Sequence, residues 1–122
     1  MLERRRFRRI KVDLDGLIAF HRTSDTAICA IRDINRECMG VKIVTSDPHV
    51  CAREDISLTV FVPVRSDDVS SATCTGRIAW HSEDKRPHES DPVYTAGIFI
   101  TDISKIDEAK LLSALDFNRS WH

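Results

Sequence analysis

ISLTVFVPV, residues 56–64, is the segment that decides the fold class of this chain. Most of its residues are β-branched or aromatic, which are the types enriched in strands. Pro63 cannot donate a backbone hydrogen bond to a neighbouring strand and is predicted to end the segment. The stretch therefore predicts a β-strand.

Similar patterns occur along most of the chain. Five further strands are predicted at residues 11–20, 26–34, 41–45, 72–80 and 93–101. Within the first, the pair Asp15-Gly16 predicts a bulge or bend. The segments 35–40, 65–71 and 81–92 are polar and predict turns or loops. Six short strands joined by turns predict a mainly β fold, a small six-stranded antiparallel β-barrel.

The pattern changes to helical spacing near the C-terminus. SKIDEAKLLSAL (104–115) predicts an α-helix over about residues 104–116, with Ser104 as N-cap and Asp107 three residues later. One apolar face is predicted to pack on the barrel. This face consists of Ile106, Ala109 and Leu112, with Leu111 and Leu115 beside it.

Composition limits the functional classes. The 122 residues are 42% hydrophobic and 30% charged, as expected of one soluble domain. No apolar run approaches the ~18 residues that span a membrane, and a cytoplasmic location is expected if the protein is bacterial. The four cysteines form no CxxC pair, and His49-x-Cys51 has no second ligand pair, so no metal is expected. No catalytic motif occurs, which argues against an enzyme.

Charge is distributed unevenly along the chain. Residues 1–11 carry six basic side chains and one acidic one, a net charge of +5, and the remainder carries −6. The chain therefore divides into a basic arm (residues 1–10) and an acidic body (residues 11–122). Such an arm is typical of proteins that bind phosphates or another anion.

RDINRECMG (32–40) is the second segment that suggests a ligand. Asp33 is an acceptor and Asn35 is both donor and acceptor. Beside an arginine arm, they would suit a molecule that combines phosphates with hydrogen-bond donors, such as a guanine nucleotide. From spacing alone, a solvated arm and a turn capped by Asp33 are the simpler interpretation.

Four segments in order resemble the PilZ domain family, the bacterial receptor modules for cyclic di-GMP. ERRRFRRIKV (3–12) is similar to the family's opening, with Arg5 and Arg9 as its RxxxR motif, and RDINRECMGV (32–41) corresponds to its (D/N)xSxxG turn. GRIAW (76–80) and AGIFITDIS (96–104) resemble the strand pair that closes its barrel. The resemblance covers nearly the whole chain.

The resemblance implies a stand-alone receptor in which cyclic di-GMP orders the arm and signals to an unidentified downstream protein, with no other cofactor. The implied ligand-binding residues are Arg4, Arg5, Arg9, Asp33, Asn35 and Cys38. Asn35 replaces the family's serine and Cys38 its glycine. If position 38 required a positive φ, a cysteine there would cost ~1 kcal/mol or more.

Two other functions remain open at this point. The changes at Asn35 and Cys38 would also fit a degenerate PilZ domain that has lost the nucleotide and acts as a protein-interaction adaptor. A nucleic-acid-binding barrel would use the same arm. The acidic body and an aromatic content of only 7% argue against it.

Overall fold

The computed structural model describes residues 10–35, 37–45, 54–65, 68–84 and 93–120. In chain order the elements are β1 (Ile10–Phe20), β2 (Thr26–Ile34), β3 (Cys38–Val44), β4 (Asp55–Arg65), β5 (Asp68–Asp84), β6 (Val93–Ile103) and α1 (Lys105–Ser120). Each strand pairs antiparallel with two neighbours, and the order β1-β2-β3-β6-β5-β4 closes into a barrel. The predicted fold class is confirmed.

Apolar side chains at alternate positions of the strands fill the interior of the barrel. In β4, Ile56, Leu58 and Val60 are completely buried, while the residues between them point outward. β1 follows the same rule from Val12 to Phe20. Because neighbouring side chains of a strand point to opposite faces, the apolar positions of all six strands meet in one core.

Gly16 is needed at the seam of the barrel, although not for the predicted bend. β1 continues through it in regular register, opposite Cys29 on β2 and Val60 on β4. A methyl group at this position would lie 2.7 Å from the Thr59 carbonyl oxygen and 2.9 Å from Ile31. The predicted bulge was misplaced, because the irregularity in β1 lies between Lys11 and Leu14.

Several strands extend beyond the bounds that the sequence pattern predicted. β3 begins at Cys38 and β5 at Asp68, both inside predicted turns, and β5 extends to Asp84. β4 also continues two residues beyond Pro63. Polar segments can join a sheet when their outward positions stay in water and their backbones find partners, and hydropathy alone does not reveal those partners.

The start of α1 confirms the predicted cap. The backbone N–H of Asp107 donates to Ser104 Oγ at 3.1 Å, and that hydroxyl donates to Asp107 Oδ2 at 2.7 Å. The hydrogen bond from Ser104 is the main reason that the pKa of the Asp107 carboxyl lies below its ordinary value. No helix in the described part of the chain is long and apolar enough to cross a membrane.

The predicted packing face of α1 is wrong. Ile106 is 72% exposed and Leu112 is 40% exposed, whereas Leu111 and Ala114 are buried. The face on the barrel also includes Lys110, whose Nζ donates to the Ser71 carbonyl oxygen at 3.1 Å. Because Lys110 is polar, the face of α1 that packs on the barrel is less apolar in sequence than the face that was predicted to pack there.

Alanine substitutions at neighbouring leucines should separate the two faces. Leu111→Ala removes a buried side chain and should lower the free energy of unfolding by ~2–5 kcal/mol. Leu112→Ala is the matched control and should cost about 1 kcal/mol or less, since much of its side chain is in water. Urea titrations of the two variants measure the difference. Equal losses would contradict the orientation of α1.

Candidate functional site

The turn between β2 and β3 is organised by Asn35. Its backbone N–H donates to the Cys38 carbonyl oxygen at 2.9 Å. Its side-chain oxygen Oδ1 accepts from the backbone N–H groups of Glu37 at 2.8 Å and Cys38 at 2.9 Å. Such side-chain bonds replace the missing ladder partners at the end of a strand. Asn35 therefore shapes the turn that leads into β3.

Cys38 has no unusual backbone conformation. Among the described residues other than glycine, only Ser24 has a positive φ. Cys38 lies instead at the first position of β3, half-buried, with its Sγ 3.5 Å from Asn35 Oδ1. The conformational cost considered for a non-glycine at position 38 is therefore absent.

Close approach occurs at Gly40 instead. The carboxylate of Asp33 lies over this glycine, and its Oδ1 accepts from the Gly40 backbone N–H at 3.1 Å. A methyl group at Gly40 would be 2.7 Å from Asp33 Oδ2. Glycine at this position thus allows the carboxylate to lie flat on the outer surface of the sheet.

Asp33 belongs to a row of four residues that crosses the barrel wall. Asp33 pairs with Gly40, Gly40 with Gly97, and Gly97 with Trp80. The Trp80 indole covers Gly97, since a methyl group there would overlap the ring. We call Asp33, Gly40, Gly97 and Trp80 the glycine row. It has a carboxylate at one end and a 45%-exposed indole at the other.

A second row adds an aromatic ring and a cation. Phe99 is 50% exposed and pairs with Cys38 on one side and Arg77 on the other. The Arg77 guanidinium bonds Asp55, with Nε and Oδ1 3.1 Å apart. The two rows together offer an acceptor for N–H donors and two aromatic side chains for flat rings.

Solved structures with this architecture provide the comparison. The PilZ domain of Escherichia coli YcgR with c-di-GMP matches with a TM-score of 0.67 and 14% identity, over 97% of this chain and 94% of that one. Bacillus subtilis MotI/DgrA, an inhibitor of motility, matches with a TM-score of 0.65 and 14% identity, over 98% of this chain. Borreliella burgdorferi PlzA in complex with c-di-GMP matches with a TM-score of 0.52 and 12% identity, over 93% of this chain.

This chain has the PilZ fold. It spans about half of the MotI/DgrA and PlzA chains, 53% of each. No protein-family model matches the sequence, and no curated protein does. At these identities the likeness establishes the fold, and the site has to be argued from the residues of this chain.

The predicted site residues fall into two groups on the PilZ fold. Asp33, Asn35 and Cys38 come together at the β2–β3 turn. Arg4, Arg5 and Arg9 lie outside the described residues. The arm that carries them joins the barrel at Ile10, which pairs with Ile34, the neighbour of both Asp33 and Asn35.

Sequence reasoning assigned no role to Trp80 and Phe99. Strict alternation puts Trp80 on the same face as Ile78, which is completely buried. A register shift between these two residues turns the indole outward instead. The signal in the sequence is Gly97, because a glycine across from a large aromatic residue leaves room for its ring.

Cys29 and Cys74 are not part of this surface. Burial raises the pKa of the Cys29 thiol to about 12, with Asp15 adding to the shift, and raises that of Cys74 to about 11. Both are buried core residues and thus poor nucleophiles. Within the described ranges no group of three or more possible metal ligands occurs.

A double-mutant cycle should detect the contact between Asp33 and Gly40. Gly40→Ala pushes the carboxylate off the backbone N–H and should cost ~1–3 kcal/mol of stability. In an Asp33→Ala background the same change has little to displace, so its cost should fall by ~1 kcal/mol or more. Chemical denaturation of the four proteins measures the coupling.

Gly76→Ala is the matched control for this cycle. A methyl group there would contact Ile98 and the Phe99 carbonyl oxygen, both at 2.8 Å. The loss of stability caused by Gly76→Ala should be the same in the wild-type and Asp33→Ala backgrounds. If Gly40→Ala behaves in the same way, the carboxylate does not depend on that glycine.

Proposed function

We propose that this chain is a receptor module that binds cyclic di-GMP and is not an enzyme. The observation that carries the proposal is the glycine row, which holds a carboxylate and an indole on one outer face next to the attachment of the arginine arm. Support also comes from the YcgR and PlzA structures of the same fold, both of which were solved with c-di-GMP.

Guanine is the base that suits Asp33. Its N1–H and N2–H₂ groups are neighbouring donors, and a carboxylate supplies acceptors only. Asp33 Oδ1 already accepts from Gly40, which holds the carboxylate in place. A carboxylate fixed before binding loses little conformational freedom when the base arrives.

Trp80 supplies a flat apolar surface at the other end of the row. Stacking of a base on an aromatic side chain contributes ~1–3 kcal/mol. We assign one purine of the dinucleotide to this indole, while Phe99 bounds the same surface on the side of Cys38. Cys38 has the role of a small, half-buried neighbour, and Asn35 acts through the shape of the turn.

The arginine arm provides the counter-charge for the phosphates. Arg5 and Arg9 form forked, permanently charged donors that match phosphate oxygens, with Arg4 adjacent. In this proposal the bound nucleotide holds the arm against the barrel. The altered surface is then the signal to a downstream protein, and the site of action is the cytoplasm of a bacterium.

A protein-interaction adaptor is the second candidate, and one observation favours it. Leu17, Ile28 and Val44 are paired across β1, β2 and β3, and are 41%, 67% and 43% exposed. Apolar side chains in a continuous row on a barrel surface are a common feature of protein interfaces. The titration below distinguishes the two candidates, because an adaptor without a nucleotide site would give no heat of binding.

Isothermal titration with cyclic di-GMP tests the arm. Wild type should bind, while Arg5→Ala and Arg9→Ala should each lose most of the affinity and keep the wild-type melting temperature. The affinity of wild type should also fall as salt rises, because added ions screen the phosphate contacts.

Arg32→Ala is the matched control for the arm. Arg32 is on the outer surface, and its side chain is 3.8 Å from the exposed Asp13 carboxylate. This variant should bind as wild type does. Full affinity in either arm variant would exclude that arginine from the site.

Substitutions at Trp80 test the stacking surface. Trp80→Ala should weaken cyclic di-GMP binding about tenfold, which corresponds to ~1.4 kcal/mol. Trp80→Phe should recover part of this loss, since it restores an aromatic face. Phe61→Ala serves as the control, because Phe61 is a partly exposed aromatic residue on β4, outside the glycine row. Unchanged binding by Trp80→Ala would remove the indole from the proposed site.

A further inference from the structure

An exposed apolar row crosses three neighbouring strands on one outer face of the barrel. Leu17 on β1 pairs with Ile28 on β2, and Ile28 pairs with Val44 on β3. All three side chains are exposed. Water therefore covers three large apolar groups that lie side by side, and their removal from water would favour contact with another surface.

The next row on the same face carries opposite charges at its two ends. Asp15 on β1 pairs with Ala30 on β2, and Ala30 pairs with Lys42 on β3. Asp15 and Lys42 are exposed, and Ala30 is half-buried. Because neighbouring strands lie about 4.8 Å apart, the backbones that carry the two charges are about 10 Å apart, on either side of a small residue.

The two rows together are complementary to themselves. β1 and β3 both run antiparallel to β2, so they flank it in the same direction. A two-fold axis that lies above β2 and along it exchanges the positions of these two strands and preserves the order of the rows. Asp15 then faces Lys42 of the second copy. In the apolar row, Leu17 faces Val44 of the second copy, and Ile28 lies near the axis and meets its own equivalent.

This axis is the one that satisfies both rows. A two-fold axis between the rows and perpendicular to the strands would put the apolar side chains of one copy against the charged ones of the other. Sheets that pack face to face in proteins keep their strands aligned within about 30°. The axis along β2 therefore also gives a usual packing geometry.

We propose that this two-row face is an interface between two copies of this chain. The face consists of Leu17, Ile28, Val44, Asp15, Ala30 and Lys42. The charges at its ends fix the register, and the apolar row supplies the area removed from water. Standard interfaces involve ~20–30 residues on each side, so an interface centred on six residues gives a weak dimer that forms at high protein concentration. None of the six belongs to the glycine row, so the dimer does not require the nucleotide.

Sedimentation equilibrium of the full chain, without nucleotide, tests the apolar row. The mass of wild type should rise with concentration from the 13.9 kDa of one chain towards twice that value. Ile28→Glu puts a charge near the axis and should keep the mass at one chain. Val69→Glu is the matched control, because Val69 is 68% exposed on β5, outside the two-row face. This control should associate as wild type does.

Charge reversal tests the two-fold pairing. Asp15→Lys places two lysines opposite each other and Lys42→Asp places two aspartates, so each variant alone should associate at least about tenfold more weakly than wild type. An equimolar mixture of the two variants restores opposite charges at both ends of the face. The mixture should therefore associate about as tightly as wild type.

Three results would overturn the proposal. A wild-type mass of one chain at every concentration up to the millimolar range would leave the face to a different protein. An equal loss of association in Ile28→Glu and Val69→Glu would place the contact elsewhere. A mixture that associates no better than the separate charge variants would exclude the pairing of Asp15 with Lys42 of the second copy.

Discussion

The ladder between β1 and β4 is the constraint on which the barrel depends. β1 pairs with β2 along one edge and with β4 along the other, so residues Gly16 to Ala19 are paired on both sides. Without the second ladder the six strands would form an open sheet with two unpaired edges. Closure gives the inward side chains one common core, and Gly16 lets the two ladders meet closely beside Ile31 and Thr59.

The candidate surface arises from irregularities in this regular wall. A shift between Ile31 and Asp33 turns the carboxylate outward, and a shift between Ile78 and Trp80 does the same for the indole. Between them, Gly40 and Gly97 are paired and carry no side chains of their own. Because these glycines have no side chains, the Asp33 carboxylate and the Trp80 indole can lie directly on the backbone of the sheet. The regular parts of the same strands supply the core, so the surface is formed without loss of packing.

The helix closes one end of the barrel. An apolar cavity remains between α1 and the barrel, beside Ile34. Leu111 and Ala114 are buried against the barrel, and Lys110 bonds its rim. Leu112 and Ile103 remain partly exposed and face the cavity. One helix thus contributes both to the core and to the wall of an apolar cavity.

The sequence by itself determined the mainly β class, the six strands, the capped helix and the PilZ resemblance, because alternation and capping act between residues close in the chain. It also indicated Asp33 and Asn35 as a pair at a turn. Only the tertiary structure decided that Gly40, rather than position 38, is the point of close approach, that Trp80 faces outward, and that Leu111 rather than Leu112 is buried. Each of these depends on the register between strands or on the rotation of a helix, which contacts far apart in the sequence decide.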